Sequence, residues 1–337
     1  MCELFGFSCN KPVSVSFSWR GFLARGRVNR DGWGVAFYPD GRSICLTKEP
    51  NPSVSSAMAS YLKSTNFVRG KIVISHVRWA SKGEVAYRNT HPFVRELFGR
   101  EWVFAHNGTL IRGLPNPMFY EPIGETDSER AFCLILDRLR ELGRGASMYE
   151  RVKYIEGAAN EFAGYGGFNF LMSDGEHLYA FWSGYSSLYY TIRVPPHTGV
   201  VKLLDEDFEV DLSRLKAEDE VATIIATRKL TSEAWIRFPK RKLMVFRDGL
   251  PYLSKEQLMI LKYVRSSPHR VSMRSISDGL GISIEETTAN MLELKKVEML
   301  KQDGRDRVSA NHPDATFYTN PDLRSTIDRI LNYCFAA

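Results

Sequence analysis

A chain of 337 residues has the length of about two ordinary domains, and 44% hydrophobic with 25% charged residues is the profile of a globular protein with a sizeable core. No run approaches the ~18 uncharged apolar residues of a membrane helix, and no charged-then-apolar leader opens the chain. Five scattered cysteines without a C-x-x-C pair argue against a disulfide scaffold and a zinc finger, so a reducing cytoplasm is the expected compartment. The net charge of +6 is spread thinly: 33 Lys+Arg face 28 Asp+Glu before residue 253, and 12 face 11 after it. Neither part is a module that binds nucleic acid through bulk charge.

Residues 2–8 read as a strand near the start of the chain. Trp33, Val35 and Phe37 alternate, Pro39-Asp40-Gly41 turns, and Ile44 and Leu46 return, so 33–47 is read as a hairpin. Over 53–63, Val54, Ala57, Met58, Tyr61 and Leu62 fall at helical spacing and predict one apolar face. Residues 71–77 form a buried-strand run. The clearest helix is 127–142, where Thr126 and Glu129 match a capping box, apolar residues recur at 132, 135, 136 and 139, and Gly143 follows as a stop. A second hairpin is expected around Asp174-Gly175, and 221–227 and 242–247 supply further strands. This mixture predicts an α+β layered domain. Walker A and G-x-G-x-x-G signatures of nucleotide binding are missing.

After Pro251 the texture changes, which places a boundary between 1–252 and 253–337. Helices are expected at 254–266, with Ser254 and Gln257 as capping box, at about 272–279, and from Ser283 to about 299 with Ala289, Leu292 and Val297 inward. A polar wing-like stretch and a terminal helix from about 322 complete a winged helix-turn-helix-like pattern.

Cys2 follows the initiator methionine, and a small second residue generally permits methionine removal. The thiol and a free α-amine would then share one residue. With ordinary pKa values of about 8.5 and 7.7–8.0, the amine can take the thiol proton, and one residue supplies nucleophile and base. If Met1 stays, this mechanism fails. Asn107-Gly108 can donate a side-chain amide and an unobstructed backbone N–H to an oxyanion, or can simply form a tight turn. Arg78 can grip a carboxylate in a fork, and Asp127, in the first turn of a helix, can hold an ammonium. Seven dispersed histidines without ligand spacing give no metal site, and no cofactor is expected.

Together with Met-Cys at the start, His76–Ser81, the Asn89-Thr90-His91-Pro92-Phe93 run, Ala105–Thr109 and Gly124–Glu129 resemble a class II glutamine amidotransferase over roughly residues 2–252. Asp31–Gly34 and Ala226–Ser232 extend the likeness, which is strongest to the small stand-alone type similar to the ergothioneine-pathway γ-glutamyl amidohydrolase. The resemblance implies the four-layer αββα sandwich of N-terminal-nucleophile hydrolases. It implies Cys2 as nucleophile through a thioester, Asn107 and Gly108 as oxyanion hole, and Arg78, Trp79, Ser81, His91 and Asp127 as substrate-binding residues. The substrate is then glutamine or another γ-glutamyl amide, releasing ammonia or an amine. Lys82 departs from the histidine that several synthase-linked members carry there.

The ~85 residues past the boundary are too few for a fused synthase domain, so ammonia is expected to pass to a separate synthase or simply to be released. Two other readings stand beside this one. A second N-terminal-cysteine amidase, of the choloylglycine type, also starts Met-Cys. A glutamine-sensing regulator would bind DNA through the tail, but the tail nets +1 and Glu285 and Glu286 open its expected recognition helix. A homodimer formed through the tail is a further expectation.

Overall fold

The computed structural model describes residues 1–304 and 308–335, and the chain divides into two compact units, Met1–Pro251 and Tyr252–Ala337. The first unit is built on two antiparallel sheets. One has seven strands in the order Ile236–Arg237, Tyr189–Arg193, Ala222–Ala226, Glu3–Ser14, Arg69–Val77, Trp33–Phe37, Cys45–Glu49. The other has six, in the order Leu250–Pro251, Leu243–Arg247, Leu178–Phe181, Asn169–Ser173, Arg100–Asn107, Phe93–Leu97.

Side-chain alternation along the first strand explains how the layers stack. Phe5, Phe7 and Cys9 point outward and pack with Trp19, Phe22 and Leu23 of helix Ser16–Leu23 and with Ala59 and Leu62 of helix Ala57–Ser64. Gly6 points the other way, toward the second sheet. A Cβ on Gly6 would come within 2.9 Å of Leu171 Cδ1, so the two sheets can approach here only over a glycine. The outer face of the second sheet carries Phe104, Phe168 and Phe170. These meet Phe132, Ile135 and Leu136 of helix Asp127–Leu142 and Ile155 and Phe162 of helix Met148–Phe162, with the Phe104 and Phe132 rings stacked at 5.1 Å. The layers run helix, sheet, sheet, helix.

The hairpins around 39–41 and 174–175 and the helix at 127–142 form where expected. The helix near 53–63 differs. Its regular part is Ala57–Ser64, and it buries Ala59 and Leu62 while Val54, Met58 and Tyr61 stay exposed. Residues 53–55 form a separate 3-10 turn, which breaks the single helical phase on which that stripe depended.

In the second unit, helices Lys255–Ser266, Met273–Leu280 and Ile284–Lys296 accompany a three-stranded sheet in the order Val271–Ser272, Thr316–Thr319, Leu300–Gln302. Helix Arg324–Phe335 follows, tied to the first of these helices by a bidentate Arg265–Asp328 pair at 2.6 and 2.8 Å. The third helix turns Thr287, Met291 and Leu294 inward rather than Ala289, Leu292 and Val297. Ala289 is exposed, and Leu292 and Val297 are half-buried. The wing-like stretch lies between Gln302 and Thr316, and its residues 305–307 fall outside the described residues. Among the described residues, no helix is long and apolar enough to cross a membrane.

Candidate active site

Three strand ends meet at one edge of the sandwich. The first strand starts there with Glu3 opposite Val77, the last residue of the strand Arg69–Val77. In the facing sheet Arg100–Asn107 ends at the same edge, because His76 Nε2 donates to the His106 carbonyl at 3.1 Å and ties the two sheets together one residue before each strand ends. Cys2, Arg78 and Asn107 are thereby gathered by register.

The Cys2 thiol lies against the backbone of Trp79. It donates to the Trp79 carbonyl at 3.2 Å and accepts from the Trp79 N–H at 3.3 Å. Burial pushes this thiol up to about 11, against the opposing pull of the Trp79 N–H, the terminal ammonium and Arg78. With Met1 in place, the thiol stays protonated near pH 7. A reaction at this sulfur therefore needs a base within reach. Asn29 Nδ2 donates to the Met1 carbonyl at 2.6 Å and holds the chain terminus beside the strand end.

Asn107 is buried, and its side-chain Nδ2 has no hydrogen-bond partner among the described residues. An amide N–H left this way costs about 1–3 kcal/mol, which a bound oxygen would recover. Gly108 has φ +155°, and a Cβ there would lie 1.9 Å from the Gly167 carbonyl oxygen, so no other residue fits.

Arg78 is only 2% exposed. Its guanidinium donates to the carbonyls of Glu84 at 3.1 Å, Lys82 at 3.1 Å and Gly83 at 3.2 Å. It thus organises the loop that follows it, using three of the guanidinium's five donor hydrogens. Burial lowers its pKa, while Cys2, Asp31 and Glu125 nearby oppose that shift. Trp79 is 48% exposed, so its indole is available at the surface of the site. Ser81 Oγ lies 2.8 Å from Thr109 Oγ1 and links this loop to the segment after Asn107. Asp127 is the first residue of its helix: Oδ1 accepts from Ser128 N–H at 3.0 Å and Oδ2 from Leu110 N–H at 2.6 Å.

His91 is buried beneath these residues. Its ring stacks on His76 at 4.2 Å, and neither of its nitrogens has a partner among the described residues. His106 Nε2 donates to the Gly167 carbonyl at 3.1 Å, and its Nδ1 lies 2.7 Å from Ser128 Oγ. Burial lowers His76 to about 3, takes His91 well below its ordinary value, and lowers His106. These rings stay neutral in the fold at pH values where an unfolded chain would protonate them near 6.5. The unfolded state then binds more protons, so stability is full above about pH 6.5 and falls as pH drops toward 3. Between about pH 7.5 and about 5.5, His76 and His91 together should cost about 3 kcal/mol, seen as a lower urea midpoint. An unchanged midpoint would mean that the rings are charged or hydrated in the folded protein.

Sequence reasoning missed the loop-holding work of Arg78, since three consecutive carbonyls leave no side-chain signature. It also missed Asn29, whose contacts are with backbone atoms alone.

The family model for class II glutamine amidotransferases matches residues 1–270. The chain belongs to the class II glutamine amidotransferases. As a member it is an enzyme acting on glutamine amide nitrogen by hydrolysis or transfer, and it carries a cysteine at position 2. An Escherichia coli protein named as glutamine amidotransferase YafJ is 42% identical over 246 residues, which are 70% of this amidotransferase and 93% of that protein. An uncharacterized protein of Methanocaldococcus jannaschii is 39% identical over 98% of this chain and 96% of its own. The crystal structure of a Pseudomonas aeruginosa PA01 protein described as a glutamine amidotransferase superposes with TM-score 0.59 at 33% identity, over 75% of this chain and all of that one. The mixed α/β fold of stacked sheets is therefore shared with that solved relative.

Proposed function

We propose that the unit ending at Pro251 is a glutaminase that works through a Cys2 thioester once Met1 has been removed. The observation that carries this reading is the unpartnered, buried Asn107 Nδ2 at the edge of the sandwich where the Cys2 thiol lies. In this mechanism the α-amine of Cys2 takes the thiol proton, directly or through a water. The sulfur adds to the side-chain carboxamide carbon, and Asn107 Nδ2 with the Gly108 N–H holds the oxyanion. Collapse expels ammonia, or an amine from a γ-glutamyl amide, as that nitrogen takes up the proton. Water then adds to the thioester and releases the acid and the thiol. Burial disfavours the thiolate, so a base within reach is needed, and the α-amine freed by loss of Met1 lies on the same residue, which supports assigning the role to it.

The head group of the substrate is held by charge. Arg78 grips the α-carboxylate with its remaining donors, and Asp127 faces the α-nitrogen. Trp79 and Ser81 line the entrance, and His91 supports the pocket from beneath. Arg78→Ala is expected to raise KM about tenfold or more and Asp127→Ala only a few-fold, each with kcat within a few-fold, because each removes ground-state binding. An ammonia-release assay over a range of glutamine concentrations checks this. A change confined to kcat would remove both residues from substrate binding. The three helices and three-stranded sheet of the second unit support a winged-helix assignment. With Glu285 and Glu286 at the start of helix Ile284–Lys296, we read it as a protein-contact module rather than a DNA reader.

A further inference from the structure

Lys82 joins the two charges assigned to the substrate head group. Its backbone carbonyl accepts from Arg78 Nη2 at 3.1 Å. Its ammonium donates to the Leu110 carbonyl and lies 4.0 Å from Asp127 Oδ2. Leu110 also donates its N–H to that same Oδ2, so residue 110 and Lys82 close around one carboxylate oxygen. An ionised carboxylate offers about four acceptor positions. Asp127 has committed one to Ser128 N–H and one to Leu110 N–H, and a fixed cation sits beside it. The Asp127 side chain is 11% exposed and that of Lys82 is 39% exposed, so the pair stands at the mouth of the site rather than in open solvent.

A pocket built only to prize a free α-ammonium would leave its carboxylate uncompensated until the substrate arrives. Here a resident ammonium already compensates it, and a second one entering the same subsite meets like-charge repulsion. We propose that Lys82 sets the head-group specificity of the site. Its ammonium shares Asp127 with the α-nitrogen of the substrate, so the pocket favours a charged α-ammonium only weakly. It therefore accepts γ-carboxamides whose α-nitrogen is absent or uncharged. This rests on the glutamine-binding role proposed for Arg78 and Asp127.

The test compares steady-state hydrolysis of glutamine and of glutaramate, which has hydrogen in place of the α-ammonium. Wild type, Lys82→Met and Lys82→Arg are each assayed with both compounds. The wild-type enzyme is expected to hydrolyse both. Lys82→Met should raise the glutamine-over-glutaramate ratio of kcat/KM about fivefold, the scale of a partly exposed ion pair, with the change residing in KM. Lys82→Arg keeps the charge and should stay near the wild-type ratio. A ratio unchanged or lowered in Lys82→Met overturns the proposal, as does an equal shift in Lys82→Arg, which would point to packing rather than charge. Glutamine hydrolysis without any glutaramate hydrolysis in wild type overturns it too, and leaves the underlying reaction standing. If neither compound is hydrolysed, the reaction itself falls and this inference falls with it.

Discussion

Replacing Cys2 with alanine is expected to reduce glutamine hydrolysis by about 10⁴-fold or more, because the covalent step has no second route in this site. The thiol is the group held at the Trp79 backbone, and the other cysteines are elsewhere. Cys9 packs between the first sheet and its helices, Cys133 is buried on helix Asp127–Leu142, Cys45 lies on an edge strand, and Cys334 lies on helix Arg324–Phe335. Glutamine binding should survive the substitution, since the head-group charges on Arg78 and Asp127 are untouched. Titration of the Cys2→Ala protein with glutamine therefore separates binding from chemistry. Residual turnover near the wild-type rate would end the nucleophile assignment.

The second large effect is expected at Asn107. Its Nδ2 is buried without a partner among the described residues, so the donor is kept in place at a cost to the free fold. Loss of one oxyanion donor elsewhere costs about 10²–10³ in kcat, and Asn107→Ala should fall in that range with KM little changed. The substitution removes an unsatisfied polar group, so thermal stability should hold. That combination, a slower enzyme that is no less stable, distinguishes an oxyanion donor from a structural amide. A loss confined to KM would instead make Asn107 a ground-state contact.

Much of this was legible in the sequence where local rules act. Thr126 caps its helix by accepting from Glu129 N–H at 3.2 Å. The reciprocal half of that box is absent, because Glu129 turns to Gly124 N–H and to Arg95 instead. Helix Met148–Phe162 passed unread although Ser147 and Glu150 form a full capping box. Its apolar stripe is diluted by Tyr149 and Tyr154, which stay exposed. The hairpin joining Phe93–Leu97 to Arg100–Asn107 was also missed. Its turn is Phe98-Gly99, both at positive φ, and a phenylalanine is an unusual residue in that conformation. At the site, the family resemblance singled out Cys2, Arg78, Asn107 and Asp127, whose residue types alone left structural readings open. The pairing of Lys82 with Asp127 spans 45 positions and depends on how two loops fold back, which no periodicity encodes.

The measurement that bears most directly on the account is the intact mass of natively processed protein before and after reaction with a glutamine-like electrophile, read alongside hydrolysis. The expected result is a chain lacking Met1 that takes up one adduct, carried by Cys2, and loses activity in step with labelling. An active chain that still begins with methionine, or a label lodged on any other residue, would contradict it.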